Sequence, residues 1–121
     1  MKIDAVVSTE DAKEIYDYLI AEAGHSKKER RILNSVDEKI KFIKRKFKYE
    51  NKPYGDSIAK NLIPKKYIKA YKISNLYRAE LPHAHRMMYS IKTNEKKERI
   101  LIIISILDHK SYDVIFGYYK K

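Results

Sequence analysis

The chain has 121 residues, 44% of them hydrophobic and 36% charged, which is typical of one globular domain and excludes a disordered segment. It contains no cysteine, which excludes disulfides, thiolate catalysis and cysteine-ligated zinc. The 27 lysines and arginines outnumber the 16 aspartates and glutamates. The resulting net charge of +11 favours a polyanionic partner: nucleic acid, an acidic protein or an anionic membrane surface.

Secretion and membrane insertion are not expected. The N-terminal residues lack the apolar core of a signal peptide, and the longest apolar run, residues 100–107, is too short to span a bilayer. We therefore expect a single domain over residues 1–121 that acts in the cytoplasm.

The first half of the chain predicts a strand followed by two helices. Residues 2–7 form the strand, and Ser8 or Thr9 then caps a helix whose apolar residues recur every three or four positions until Gly24. A Ser-Lys-Lys-Glu sequence starting at Ser26 has the spacing of a capping box and begins the second helix. The two helices are expected to pack as an antiparallel hairpin.

The second helix carries a basic outer face. Lys41, Lys44 and Lys48 follow the i, i+3, i+7 spacing that places side chains on one side of a helix. This face is either an ordinary solvated surface or a row of positive charges that binds RNA phosphates independently of the RNA sequence.

The middle of the chain predicts mostly turns and loops. Residues 51–56 form a turn cluster, and residues 57–63 predict one helical turn before Pro64. Residues 65–72 are expected to be a short extended piece or part of a loop.

The last third predicts three consecutive strands, at residues 76–82, 85–91 and 100–107. The last of these is apolar on both faces, so it should lie in the centre of a sheet. Helices followed by strands indicate an α+β fold, with the helical hairpin packed on one face of a twisted three-stranded antiparallel meander.

These strands hold the densest chemistry of the chain. Arg86 and Arg78 are candidates for binding a phosphodiester, because a guanidinium group is always charged and its fork fits two phosphate oxygens. His109 is the candidate proton-transfer group, since imidazole titrates nearest to neutral pH. The alternative is an ordinary surface role, with Arg86 paired with Glu80 or with the aspartate before His109.

Four other side chains are weaker candidates. Tyr112 and Tyr118 are placed to stack on a base or to donate a proton, although packing is the simpler role in a chain with 11 tyrosines. His85 is an auxiliary proton donor beside Arg86, and Lys110 is a further RNA contact.

Neither a metal nor a cofactor is expected. His83, His85 and His109 raise the question of a zinc site, but no carboxylate cluster with ligand spacing accompanies them. The three glycines are too scattered to build a phosphate-binding loop.

Three segments together resemble the RelE/ParE superfamily of toxins from type II toxin–antitoxin systems. They are Asn-Leu-Tyr-Arg-Ala-Glu-Leu at 75–81, His-Arg-Met-Met-Tyr-Ser-Ile at 85–91 and Ile-Leu-Asp-His-Lys-Ser-Tyr at 106–112. The second resembles the family strand of an arginine, two apolar residues and a tyrosine, in the His-Arg form of the YoeB-like branch. The third resembles the aliphatic strand followed by a histidine and a basic residue. The closing Phe-Gly-Tyr at 116–118 is similar to archaeal-type members.

The resemblance implies a RelE-like fold and a ribosome-dependent mRNA endonuclease that needs no metal. It also implies a cognate antitoxin, which would silence the toxin in a hetero-oligomer. The chain departs from the RelE pattern at Glu80, where a lysine is expected, at Lys110, where an arginine is expected, and in its long helical hairpin.

Two other functions remain open. The ParE branch has the same fold, lacks the ribonuclease residues and acts on a topoisomerase. This chain differs from that branch because it has His109 and an arginine on each hairpin strand. The remaining alternative is a basic RNA-binding module that uses the lysine face of the second helix.

Overall fold

The computed structural model describes residues 2–117, which form four helices and five strands. In chain order the elements are β1 (Ala5–Ser8), α1 (Glu10–Glu22), α2 (Lys27–Glu50), β2 (Asp56–Ser57), a 3-10 turn (Lys60–Leu62), α3 (Lys65–Tyr71), β3 (Tyr77–Leu81), β4 (His85–Thr93), β5 (Arg99–Leu107) and α4 (His109–Ile115). The α+β class is as predicted. No helix within residues 2–117 is long and apolar enough to cross a membrane.

The five strands form one mixed sheet in the order β1-β5-β4-β3-β2. The pairs β3–β4 and β4–β5 are antiparallel, whereas β1 runs parallel to β5. Because β5 has a neighbour on each side, the prediction that this apolar strand is central is confirmed. The prediction of only three strands beyond the N-terminal one is incomplete, since the two-residue strand β2 pairs with β3 and forms an edge of the sheet.

The helices α1 and α2 begin at the predicted caps and cover one face of the sheet. The Thr9 hydroxyl accepts a hydrogen bond from the backbone N–H of Ala12 at 3.1 Å, and the Ser26 hydroxyl accepts one from Glu29 at 3.4 Å. These bonds satisfy amide groups that the first turn of a helix leaves without partners. Ile32 and Ile43 of α2 are fully buried in the core that this helix pair shares with the sheet.

The prediction that the helices cover only one face of the sheet is wrong. Residues 65–72 were expected to be extended or a loop, but most of them form α3, and α4 follows β5 directly. Both short helices pack on the second face, where Tyr67 of α3 and Tyr112 of α4 are buried with Met88. Each of these helices has seven residues, too few for a helical repeat to stand out in the sequence.

A bulge in β5 shapes this second face. Met88 pairs with Ser105 and Tyr89 pairs with Ile103, so Ile104 is an extra residue in β5. Ile104 is fully buried in the core of the second face, and the Ser105 hydroxyl is hydrogen-bonded to the Tyr67 hydroxyl at 2.7 Å. Because of the bulge, the successive residues Ile104 and Ser105 both make contacts on the second face of the sheet.

The turn between α2 and β2 is fixed to the sheet. The backbone N–H of Tyr54 donates to the hydroxyl of buried Tyr89 at 2.9 Å, and that hydroxyl donates in return to the carbonyl of Tyr54. The next residue, Gly55, has φ +89°, and a Cβ at this position would overlap the carbonyl oxygen of Arg78. Only glycine satisfies both the conformation and the close approach.

The substitution Gly55→Ala should therefore destabilise the fold. We expect the free energy of unfolding to fall by more than about 1–2 kcal/mol, because a left-handed conformation alone costs that much for a residue with a Cβ. Gly24→Ala is the matched control, since its Cβ would meet no atom within 4 Å and its φ is not positive. Urea denaturation of both variants checks this, and equal midpoints would contradict the close packing at Gly55.

Candidate active site on the second face of the sheet

Strands β3 and β4 place three charged side chains on the second face. Arg78 and Glu80 are two residues apart on β3, and Glu80 pairs directly with Arg86 of β4. Successive residues of a strand point to opposite faces, so Ala79 and Leu81 are buried in the first core instead.

Helix α4 adds His109 and Tyr112 to this group, and both were predicted as site residues. Asp108 caps the helix and accepts a hydrogen bond from the backbone N–H of Ser111 at 2.7 Å, which lowers the pKa of that carboxyl. The Tyr112 ring lies 4.6 Å from Cζ of Arg86, and its hydroxyl accepts a hydrogen bond from Nη1 of Arg78 at 2.8 Å. Nδ1 of His109 lies 3.4 Å from Nη1 of Arg86.

Four of the predicted site residues thus meet on one face, and together with Glu80 we call them the arginine cluster. Its members are Arg78, Glu80, Arg86, His109 and Tyr112. A guanidinium group can only donate hydrogen bonds, so Nδ1 of His109 accepts the bond from Arg86. The other ring nitrogen, Nε2, lies 3.2 Å from the carboxylate of Asp113. This arrangement places the ring proton on Nε2 and directs the Nδ1 lone pair towards the arginines.

Carboxylates balance the positive charge of the cluster. Nη2 of Arg78 binds Asp56 at 2.8 Å, and this hydrogen bond is the main reason that the pKa of Arg78 is raised. Glu80 reaches Nε of Arg78 at 3.2 Å and Nε of Arg86 at 3.6 Å. The predicted alternative in which Arg86 pairs with Glu80 therefore describes an ion pair that the structure contains.

The contacts to Glu80 are close but poorly directed. The Nε atoms of Arg78 and Arg86 are buried, and neither has a hydrogen-bond partner of good geometry among residues 2–117. The Glu80 side chain is 57% exposed, so it lies at the rim of the cluster. Two buried donors are therefore turned towards a position that a solvated carboxylate fills incompletely.

His85 and Lys110 are not members of the cluster, although both line a cavity beside His109. His85 precedes Arg86 on β4, so its side chain is on the opposite side of the strand, where Nδ1 is 2.8 Å from the carbonyl of His83. Lys110 is exposed and lines an open cavity of about 520 Å³ with His85 and His109. Tyr118 lies outside the described residues.

The basic face of α2 is exposed, as predicted. Lys41, Lys44 and Lys48 all lie on the solvent side of the helix, and the first core lies behind it. None of the three contributes to the arginine cluster, which is on the other face of the sheet. A role for these lysines in RNA affinity would therefore be separate from the chemistry of the cluster.

No group of three or more metal-ligating side chains within residues 2–117 is arranged to hold a metal ion. The three histidines considered for zinc are divided in their contacts: His85 bonds to the backbone of His83, whereas His109 lies between Arg86 and Asp113.

Sequence reasoning named one of the three carboxylates of the site and missed Asp56 and Asp113. Glu80 was named as the ion-pair partner of Arg86 in the alternative reading and as a departure from the family pattern. Asp56 had no signal in the sequence, because it belongs to a strand of two residues that only the tertiary structure defines. Asp113 follows His109 by four residues, but that spacing carries meaning only once the segment is known to be a helix.

Comparisons of the chain with protein-family models, with curated proteins and with solved structures found no match. The resemblance to the toxin superfamily therefore depends on the residues themselves.

The hydroxyl of Tyr112 should contribute more to the free energy of unfolding than the hydroxyl of an exposed tyrosine does. Tyr112→Phe keeps the ring beneath Arg86 but removes the acceptor of the hydrogen bond from Arg78, which should cost about 0.5–1.5 kcal/mol of unfolding free energy. Tyr18, whose ring is on α1 and 52% exposed, supplies the control Tyr18→Phe, for which we expect no measurable change. Thermal denaturation followed by circular dichroism checks both. Equal stability of the two variants would show that the Tyr112 hydroxyl contributes nothing.

Proposed function

We propose that this chain cleaves single-stranded RNA at the arginine cluster, as the toxin of a type II toxin–antitoxin system. The observation that carries the proposal is the convergence of Arg78, Arg86, His109 and Tyr112 on one face of the sheet. Two guanidinium groups, an imidazole and a phenol meet the requirements of phosphodiester cleavage by an adjacent hydroxyl.

In the proposed reaction, the 2′-oxygen of the ribose attacks the adjacent phosphorus atom. When Arg86 turns its Nη1 donor from His109 to the phosphate, Nδ1 of His109 is left to take the proton of the 2′-hydroxyl, while Asp113 holds the other ring nitrogen. Arg86 and Arg78 donate to the phosphorane oxygens, where negative charge accumulates. The bond from phosphorus to the 5′-oxygen then breaks, and the Tyr112 hydroxyl protonates that oxygen.

Glu80 has a different role in this scheme. Its carboxylate bridges the two arginines as a phosphate group would, at 3.2 Å and 3.6 Å, and the side chain is exposed enough to swing away. The RNA phosphate would displace it and gain the two poorly satisfied Nε donors. Glu80 is therefore a competitor of the substrate that occupies both arginines when RNA is absent.

The biological context is inferred from the resemblance and the charge. We propose mRNA on the ribosome as the substrate because the resemblance to the toxin superfamily implies it, and a net charge of +11 agrees with a polyanionic substrate. The same charge suits a cognate antitoxin that covers the basic surface with an acidic or amphipathic segment and excludes RNA.

A non-catalytic role is the second candidate, and one observation favours it. Arg78 and Arg86 are balanced by Asp56 and Glu80, so the cluster has no surplus of positive charge for a phosphate. In that case the cluster would be a structural ion network, and the chain would act by blocking a protein target such as a topoisomerase.

Three substitutions distinguish the two candidates. Arg86→Ala and His109→Ala should each fold, yet lose about 10²–10³ in cleavage rate, because each removes one group that the transition state uses. Glu80→Gln should instead bind RNA more tightly and still cleave it. The measurements are growth arrest on expression, RNA cleavage by the purified variants, and circular dichroism to verify folding.

Two outcomes would change the assignment. Full toxicity of both alanine variants would support the non-catalytic candidate over the ribonuclease. A Glu80→Gln variant that binds RNA but cannot cut it would make Glu80, and not His109, the group that takes the proton.

A further inference from the structure

A second surface, at the end of α2, combines aromatic rings with positive charge. Phe42, Arg45, Lys46 and Tyr49 follow the i, i+3, i+4, i+7 spacing of one helix face, and Tyr54 of the following turn joins them. We call these five residues the aromatic platform. They line an open cavity of about 360 Å³ together with Glu50.

The platform has one exposed ring and two half-buried rings, and cations accompany them. The Tyr49 side chain is on the solvent side of α2 and the residue is 73% exposed, the largest exposure among the large hydrophobic side chains of residues 2–117. The rings of Phe42 and Tyr54 are 5.7 Å apart and tilted, and Cζ of Arg45 is 5.7 Å from the Phe42 ring. Nζ of Lys48 is 5.3 Å from the Tyr49 ring.

The platform is joined to the arginine cluster by a short segment that is bonded to the sheet at Tyr54 and at Asp56. The Tyr54 backbone is bonded to the buried Tyr89 hydroxyl, Gly55 packs against the backbone of Arg78, and Asp56 binds the Arg78 guanidinium at 2.8 Å. Two residues span at most about 7 Å of chain, so Tyr54 lies within that distance, Cα to Cα, of Asp56 at the sheet edge that separates the platform from the arginine cluster.

We propose that the aromatic platform binds a nucleobase of the single-stranded RNA whose phosphate occupies the arginine cluster. This inference rests on the proposed cleavage of RNA and names the part of the substrate that lies beside the cut. Bases stack on exposed aromatic rings irrespective of sequence, and neighbouring cations contact the backbone phosphates.

The charges at the platform agree with this ligand. Arg45, Lys46 and Lys48 surround the rings, and Glu50 is the one carboxylate among the lining residues. An acidic protein would use these charges but would gain little from exposed ring faces. A base-paired duplex would not present its base faces either, because they are stacked within the helix. The combination is therefore specific for a single strand.

Binding of a non-cleavable single strand tests the inference. The probe is a fluorescently labelled eight-nucleotide oligoadenylate in which every 2′-hydroxyl is methylated, so that the proposed reaction cannot occur, and affinity is measured by anisotropy. Tyr49→Ser should weaken binding about 5- to 100-fold, the range expected for losing one stacked base. Tyr49→Phe should bind as the wild type does, because it keeps the ring.

The control is Ile20→Ser, which removes a large exposed side chain, 53% accessible, from the other long helix and should leave affinity unchanged. Equal affinities of Tyr49→Ser and Ile20→Ser, or equal binding of single strand and duplex by the wild type, would overturn the platform. Absence of any binding by the wild type would overturn it as well.

Cleavage of unmodified RNA by the same variants separates the two proposals. A wild-type chain that binds the probe through Tyr49 but never cuts RNA would refute the ribonuclease and leave the platform in place. A chain that cuts RNA but binds the probe equally well without the Tyr49 ring would refute the platform and leave the ribonuclease in place.

Discussion

The proposed site depends on one interaction: Arg78 and Arg86 share the carboxylate of Glu80 and the ring of Tyr112. Arg78 and Arg86 both lie over Tyr112, with Cζ atoms 5.7 Å and 4.6 Å from its centroid, so their charges repel at short range. Glu80 lies between them and offsets this repulsion, and Asp56 binds Arg78 from the edge of the sheet. The pairing of β3 with β4, the cap of α4 and the turn at Gly55 all position members of this group.

The carboxylates define what the site can do. A pair of unpaired arginines would bind any phosphate, including those of duplex RNA and free nucleotides. With Glu80 between them, only a ligand that displaces a carboxylate at 3.2 Å gains the two buried Nε donors. Binding therefore has to draw on contacts elsewhere, which the exposed lysines of α2 and the aromatic platform would supply.

Much of the fold could be predicted from local sequence patterns. The long helices were visible because Thr9 and Ser26 cap them and their apolar residues repeat over several turns, and β5 was visible because it is apolar on both faces. Arg78, Arg86 and His109 were identified as site residues from their chemistry and the family resemblance, and strand pairing with helix α4 brings them together.

What could not be predicted depends on tertiary contacts. Helix α3 is defined by burial of Tyr67 against Met88 on a face that the predicted hairpin left open. Asp56 acquires its role only because β2 pairs with β3. The side chain of His85 points away from that of Arg86, because adjacent residues of a strand face opposite sides, yet His85 lines one cavity with His109.

The chemistry of the products tests the central claim most directly. Attack by the 2′-hydroxyl must leave a 2′,3′-cyclic phosphate on one fragment and a 5′-hydroxyl on the other. We therefore expect mass spectrometry of RNA cut by the wild-type protein to show these ends, and a substrate with a single 2′-deoxyribose at the cut position to remain intact. Fragments with 3′-hydroxyl and 5′-phosphate ends, or equal cleavage of the deoxy substrate, would contradict the account.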